Sequence, residues 1–181
     1  MGPFRKRLIR LLARATEYVT EATPDNAHRL VRRGWLRARI GDFEDAVADF
    51  STAIELVPTY GDAYRLRAWT FLKMEQPERA WDDIEEDLRL RPENAETRAT
   101  YGDVLRAMGR DAEALAEYER ALAWDSGSAS AFIGRAYLRY RNDDWPNAIA
   151  DFRRGMAIGW EDEEARACLA EAEKRLRNAR G

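Results

Sequence analysis

A period of thirty-four residues runs through most of this chain, and it limits the fold more than any other feature of the sequence. Each copy is a small unit that can bury its apolar face only against the next copy, so the period points to a stacked array and not to a single closed core. Residues 27–60, 61–94, 95–128 and 129–162 align without a gap. One column reads Gly34, Ala68, Gly102, Ala136 and a second reads Ala46, Ala80, Ala114, Ala148. A third reads Phe50, Ile84, Tyr118, Phe152 and a fourth Ala53, Asp87, Ala121, Gly155. Pro58 and Pro92 close the first two blocks, while Ser126 and Trp160 stand at that place in the last two.

Within each block two helical stretches flank a turn. In the first block the spacing predicts helices over 26–40 and 43–56 around Gly41-Asp42. The turn column reads Gly41, Glu75, Gly109, Asp143, largely residue types that stop one helix and permit the next. Small residues recur where two helices must touch: Gly34 and Ala46 leave room, and Phe50 fills the neighbouring hole. Upstream, Phe4, Leu8, Leu11, Leu12, Ala15, Tyr18 and Val19 recur at helical spacing, and Pro24 falls one period before Pro58, so 1–24 reads as the second half of a degenerate block or a cap. Downstream, Ala165, Cys168, Leu169, Ala172 and Leu176 form a narrow stripe under many charges, the composition of a capping helix over 163–181. Ten helices are expected in all.

The combination of Gly34, Ala46, Phe50, Ala53 and Pro58 at this spacing resembles the tetratricopeptide repeat, over four consecutive copies. The resemblance implies an all-α, right-handed α-solenoid of four helix-turn-helix repeats with N- and C-terminal capping helices, and a non-catalytic scaffold that binds a segment of another protein. Asp87, in a column that is usually small, and the missing prolines after the third and fourth blocks depart from the family pattern. The family's carboxylate-clamp subgroup grips chaperone C-termini with a Lys and an Asn one turn apart; those places hold Val31 and Trp35, so that ligand is not expected.

Charge and composition narrow the classes of activity. A net charge of -3 gives no general attraction for polyanions, and neither an RNA-module motif nor a phosphate-cradling glycine loop is present, so nucleic acid is not expected as a partner. With 45% apolar and 35% charged residues the chain has material for a core and much wetted surface. No apolar run approaches the ~20 residues of a membrane span, and the expected location is cytoplasmic. One cysteine, Cys168, and one histidine, His28, lie at opposite ends of the array, which leaves little for a metal site or a nucleophile-base pair; no cofactor is expected. The acidic run Asp82, Asp83, Glu85, Glu86, Asp87 lacks the alternation and central glycine of a calcium loop and reads as a solvated helix face. Glu161 to Glu164 suit the N-terminal end of the last helix.

Arg33, Arg67 and Arg135 share a column that holds Tyr101 in the third block, and the partner column reads Asp49, Asp83, Glu117, Asp151. Aspartate accompanies arginine and the longer glutamate accompanies tyrosine. Each Arg is therefore expected to reach across its own hairpin to the Asp, contributing ~1 kcal/mol if the pair is partly exposed.

In a stacked array the first helices line a concave face. The columns directed there give Trp35, Trp69, Asp103, Tyr137; then Ala38, Leu72, Arg106, Tyr140; then Arg39, Lys73, Ala107, Arg141; and one turn earlier Val31, Arg65, Ala99, Ile133. The expected peptide-binding groove is thus Val31, Trp35, Arg39, Arg65, Trp69, Lys73, Arg106, Tyr137, Tyr140 and Arg141. Aromatic and Arg anchors suit an extended partner segment with acidic and apolar side chains. A competing reading has the aromatics packing only between helices. Alternative roles are a homo-oligomeric assembly module, or a peripheral membrane adaptor using the basic N-terminal Arg5, Lys6, Arg7, Arg10 and Arg14.

Overall fold

The computed structural model describes residues 23–160 and 162–179; the expected N-terminal helix and its basic residues, and Glu161, lie outside them. The described residues form nine α-helices and no strand: α1 (Pro24–Ile40), α2 (Phe43–Leu56), α3 (Gly61–Lys73), α4 (Pro77–Leu90), α5 (Ala95–Ala107), α6 (Asp111–Trp124), α7 (Ala129–Arg141), α8 (Trp145–Ala157) and α9 (Glu163–Asn178). They belong to two compact units, one through Pro92 with α1 to α4 and one from Glu93 with α5 to α9. Within each unit consecutive helices pair as antiparallel hairpins, and each hairpin leans on the next helix in the chain.

Local chemistry sets the helix ends. The side chains of Thr23, Asn94, Ser128 and Asp162 accept from the backbone N–H of Asn26, Thr97, Ala131 and Glu164, and so cap α1, α5, α7 and α9. Pro24, expected to close an upstream block, instead lies in the first turn of α1, where a residue without an N–H costs nothing. Every residue of the turn column is left-handed: Gly41 at φ 93°, Glu75 at 58°, Gly109 at 77° and Asp143 at 59°. Glycine takes this backbone freely, whereas Glu75 holds it under strain.

The repeated columns form the cores. Ala46, Ala80, Ala114 and Ala148 are buried, as are Phe50, Ile84, Tyr118 and Phe152. A Cβ on Gly34 would lie 2.8 Å from the Phe50 ring, so the small residue is what admits the large one. Tyr118, the one phenol of its column, satisfies its hydroxyl by donating to Asp103 at 2.7 Å.

Asp87, the odd member of the small column, is fully buried. Arg91 donates to both its oxygens at 2.8 and 3.0 Å and also reaches Asp62 at 2.8 Å. Room for this pair comes from Gly61, whose missing Cβ would sit 2.2 Å from Asp87 Oδ1 and 2.3 Å from Arg91 Nε. The other blocks have Ala27, Ala95 and Ala129 at the position of Gly61, opposite Ala53, Ala121 and Gly155. The larger residue is thus matched by a smaller one across the hairpin.

The Arg–Asp columns meet as expected. Arg33 donates to Asp49 at 2.6 to 3.1 Å, Arg67 to Asp83 at 2.6 and 2.8 Å, and Arg135 to Asp151 at 2.8 and 2.9 Å. Arg37 and Arg139 add a second guanidinium to Asp49 and Asp151, and Ser51 accepts from Arg67. In the third block Glu117 takes Arg98 and Arg120. The Asp side chains keep only 4%, 7% and 6% of their surface, so these clamps are buried at the carboxylate and the partly exposed case does not apply. Burial pushes the Asp83 carboxyl up, with the Arg67 hydrogen bonds and charge pulling against it.

The acidic run is therefore not a solvated face throughout. Asp82 and Glu85 are exposed, but Asp83 and Asp87, four residues apart, share the inward side of α4, each held by an arginine.

Candidate functional site

Two indole–cation couples repeat on the first helices of the first unit. Trp35 on α1 is 39% exposed, and the Arg39 guanidinium lies 4.7 Å above its ring. Trp69 occupies the same position on α3, half-buried against the core that Phe50 and Ala63 belong to, with the Lys73 ammonium 5.5 Å from its ring. In both cases the cation follows the indole by four residues, one helical turn, which brings charge over the π face. Arg39 and Lys73 are exposed, and among the described residues neither is paired with a carboxylate.

Two other predicted residues of this unit behave differently. Val31 is 7% exposed within the first core and offers nothing to a ligand. Its column also contains the buried Ala99 and Ile133, so it faces the core. Arg65, the exception in that column, remains partly exposed and donates to Asp62 at 3.3 Å. Burial raises the Asp62 pKa, but Arg91 and Arg65 outweigh it and hold the carboxyl below its ordinary range.

The second unit uses its aromatic and basic residues internally. Arg106 lies 5.5 Å over the Tyr137 ring and 3.5 Å from Asp103. Burial opposes the Arg106 charge, yet Asp103 and Tyr118 hold the guanidinium above its ordinary pKa. Tyr137 packs edge-on to Phe152 and donates to Asp162 at 3.3 Å; burial, then Asp162 and Glu164, push its hydroxyl well up. Tyr140 meets Trp145 edge-on at 5.3 Å, and Arg141 donates to Asp111 at 2.6 Å. Tyr137 and Tyr140 thus fit the packing alternative, and Arg106 and Arg141 carry their own counter-charges.

Sequence reasoning missed these counter-charges. Asp62 and Asp103 each stand three residues before the arginine they hold, a legible helical spacing, whereas Asp111 and Arg141 come from different helices and share no local signal. His28 is not isolated: the Tyr60 hydroxyl lies 2.6 Å from its Nδ1, tying the end of the first block back to its start. Cys168 is half-buried, and burial pushes its thiol up. Among the described residues no group of three His, Cys, Asp or Glu is placed to hold a metal ion, and no helix is long and apolar enough to cross a membrane.

Comparison with known proteins agrees with this architecture. The chain is 29% identical over 123 residues to the human tetratricopeptide repeat protein 6, covering 66% of this chain but only 24% of that protein. Among solved structures it is similar to TTC0263, a thermophilic TPR protein of Thermus thermophilus, with a TM-score of 0.69 and 19% identity over 83% of this chain and 81% of that one. It is also similar to YrrB, a TPR protein with an unusual peptide-binding site, with a TM-score of 0.54 and 20% identity over 84% and 78% of the two chains. The tetratricopeptide repeat family profile matches residues 31–95, 65–129 and 101–163 in overlapping windows. With its helical hairpins, its repeated small-residue columns and this match over more than half its length, the chain belongs to the tetratricopeptide repeat family.

Proposed function

We propose that this chain is a non-catalytic scaffold that captures an extended segment of a partner protein on the first helices of its first unit, through Trp35, Arg39, Trp69 and Lys73. The fold is one that serves protein–protein interaction, and the peptide-binding site of its structural relative YrrB supports a peptide ligand. The observation that carries the reading is the duplicated indole–cation couple whose cations have no carboxylate partner among the described residues. Indole faces desolvate apolar side chains of the ligand while Arg39 and Lys73 select its acidic ones. Arg65, already engaged by Asp62, borders the site as a weaker second contact.

Fluorescein-labelled peptides of mixed Glu, Leu and Phe, compared with peptides in which Lys replaces every Glu, test this reading by anisotropy. The acidic set binds, binding weakens with added salt, and Arg39→Glu with Lys73→Glu abolishes it while the helical circular dichroism stays unchanged. Equal binding of the acidic and basic sets, or full retention in the double variant, refutes it.

A further inference from the structure

The ligand's conformation and register follow from the spacing of the two couples, an inference that rests on the interaction reading above. On α1 and on α3 the cation lies four residues beyond the indole, about 6 Å toward the helix C-terminus. The two helices touch, so their axes are about 8–10 Å apart. A chain laid across them meets the same apolar and cationic pair twice, one helix spacing apart.

Extended backbones differ in whether they can satisfy both that distance and a common direction. In a β-strand three residues span about 10 Å but deliver the third side chain to the opposite face, while two or four residues keep the face and span about 7 or 13 Å. A polyproline II helix has three residues per turn at about 3.1 Å each, so it presents the same face every 9 Å or so. Only the second matches the spacing of α1 and α3 in both respects.

We infer that the partner segment is a polyproline II stretch in which an apolar residue followed by Asp or Glu recurs at every third position, one couple per first helix. Charge complementarity selects this occupant: each indole has a cation beside it, and neither cation is paired with a carboxylate among the described residues. Proline suits the third position, because it stiffens the conformation and lowers the ordering entropy lost on binding.

The test uses the full chain and labelled peptides of one composition, each carrying two Leu-Glu couples placed two, three or four residues apart, with Pro and Ser as spacers. The three-residue register binds at least about tenfold more tightly than the other two, and a peptide with a single couple binds more weakly still. Arg39→Glu and Lys73→Glu each reduce binding, and the double variant recovers it with a Leu-Lys peptide in the same register. Similar affinity in every register overturns the inference but leaves the interaction reading intact, whereas failure of all registers overturns both. A concentration-dependent dimer that Arg39→Glu dissolves puts a second copy on this face and also overturns it.

Discussion

Gly61→Ala is the substitution whose cost the structure sets most sharply. The added Cβ would lie 2.2 Å from Asp87 Oδ1, 2.3 Å from Arg91 Nε and 2.8 Å from Arg91 Cζ, so the ion pair has to move. Asp87 is fully buried and its displaced carboxylate has no water to turn to. Overpacking costs about 1–3 kcal/mol and disruption of a buried pair about 3–5 kcal/mol. Arg91 keeps some exposure and its bond to Asp62, which softens the second figure, and alanine recovers up to about 1 kcal/mol of helix propensity. A net loss of about 2–4 kcal/mol is expected for Gly61→Ala. Asp87→Ala alone leaves Arg91 with Asp62 and costs about 1–3 kcal/mol. The double variant recreates the Ala/Ala pairing of the first and third blocks, so it loses no more than Asp87→Ala alone, a coupling of at least about 2–4 kcal/mol in its favour, equal to the cost of Gly61→Ala. Urea unfolding followed by both helicity and tryptophan emission measures all four corners of the cycle. Additive losses, or a harmless Gly61→Ala, would refute the matched-volume account of these two columns.

Three further perturbations probe the remaining features. Asp49→Ala removes the buried carboxylate that Arg33 and Arg37 share and lowers stability by about 3 kcal/mol, with a coupling above about 1 kcal/mol to Arg33→Ala; zero coupling in that cycle removes the clamp as a stabilising device. Glu75→Gly relieves a left-handed backbone and stabilises by up to about 1 kcal/mol after the entropy of glycine is counted, and thermal unfolding showing a loss contradicts the strain. Because burial raises the Cys168 pKa, less thiolate is present at pH 8 than in an unburied thiol; iodoacetamide reacts more slowly, and its rate keeps climbing with pH after a model thiol has levelled off, whereas a matching profile disproves the shift.

The repeat made the hairpins legible, and the reasons for the failures are local. A column states what its members share, so Ala46 and Phe50 could be placed from the alignment alone. Val31 faces the core because its column, the charged Arg65 apart, is apolar and buried, and one charged member hides that shared character. The acidic run on α4 divides by helical phase: Asp83 and Asp87 lie one turn apart on the inward side, and their arginines come from α3 and from the C-terminal end of α4. For the candidate site, the indole–cation couples were visible as a spacing of four. The packing of Tyr137 on Phe152 and the capture of Arg141 by Asp111 were not, since the first depends on how α7 and α8 pack within their hairpin and the second on how α7 meets the hairpin before it.

The paired bonds from Arg33 to Asp49, Arg67 to Asp83 and Arg135 to Asp151 each lie inside a single hairpin, with donor and acceptor sixteen positions apart. A gene segment encoding one such hairpin can be copied or deleted by unequal recombination without stranding a carboxylate, because donor and acceptor travel on the same piece of DNA. Arrays assembled this way lengthen or shorten with little electrostatic penalty, and the groove chemistry of each added unit is free to diverge.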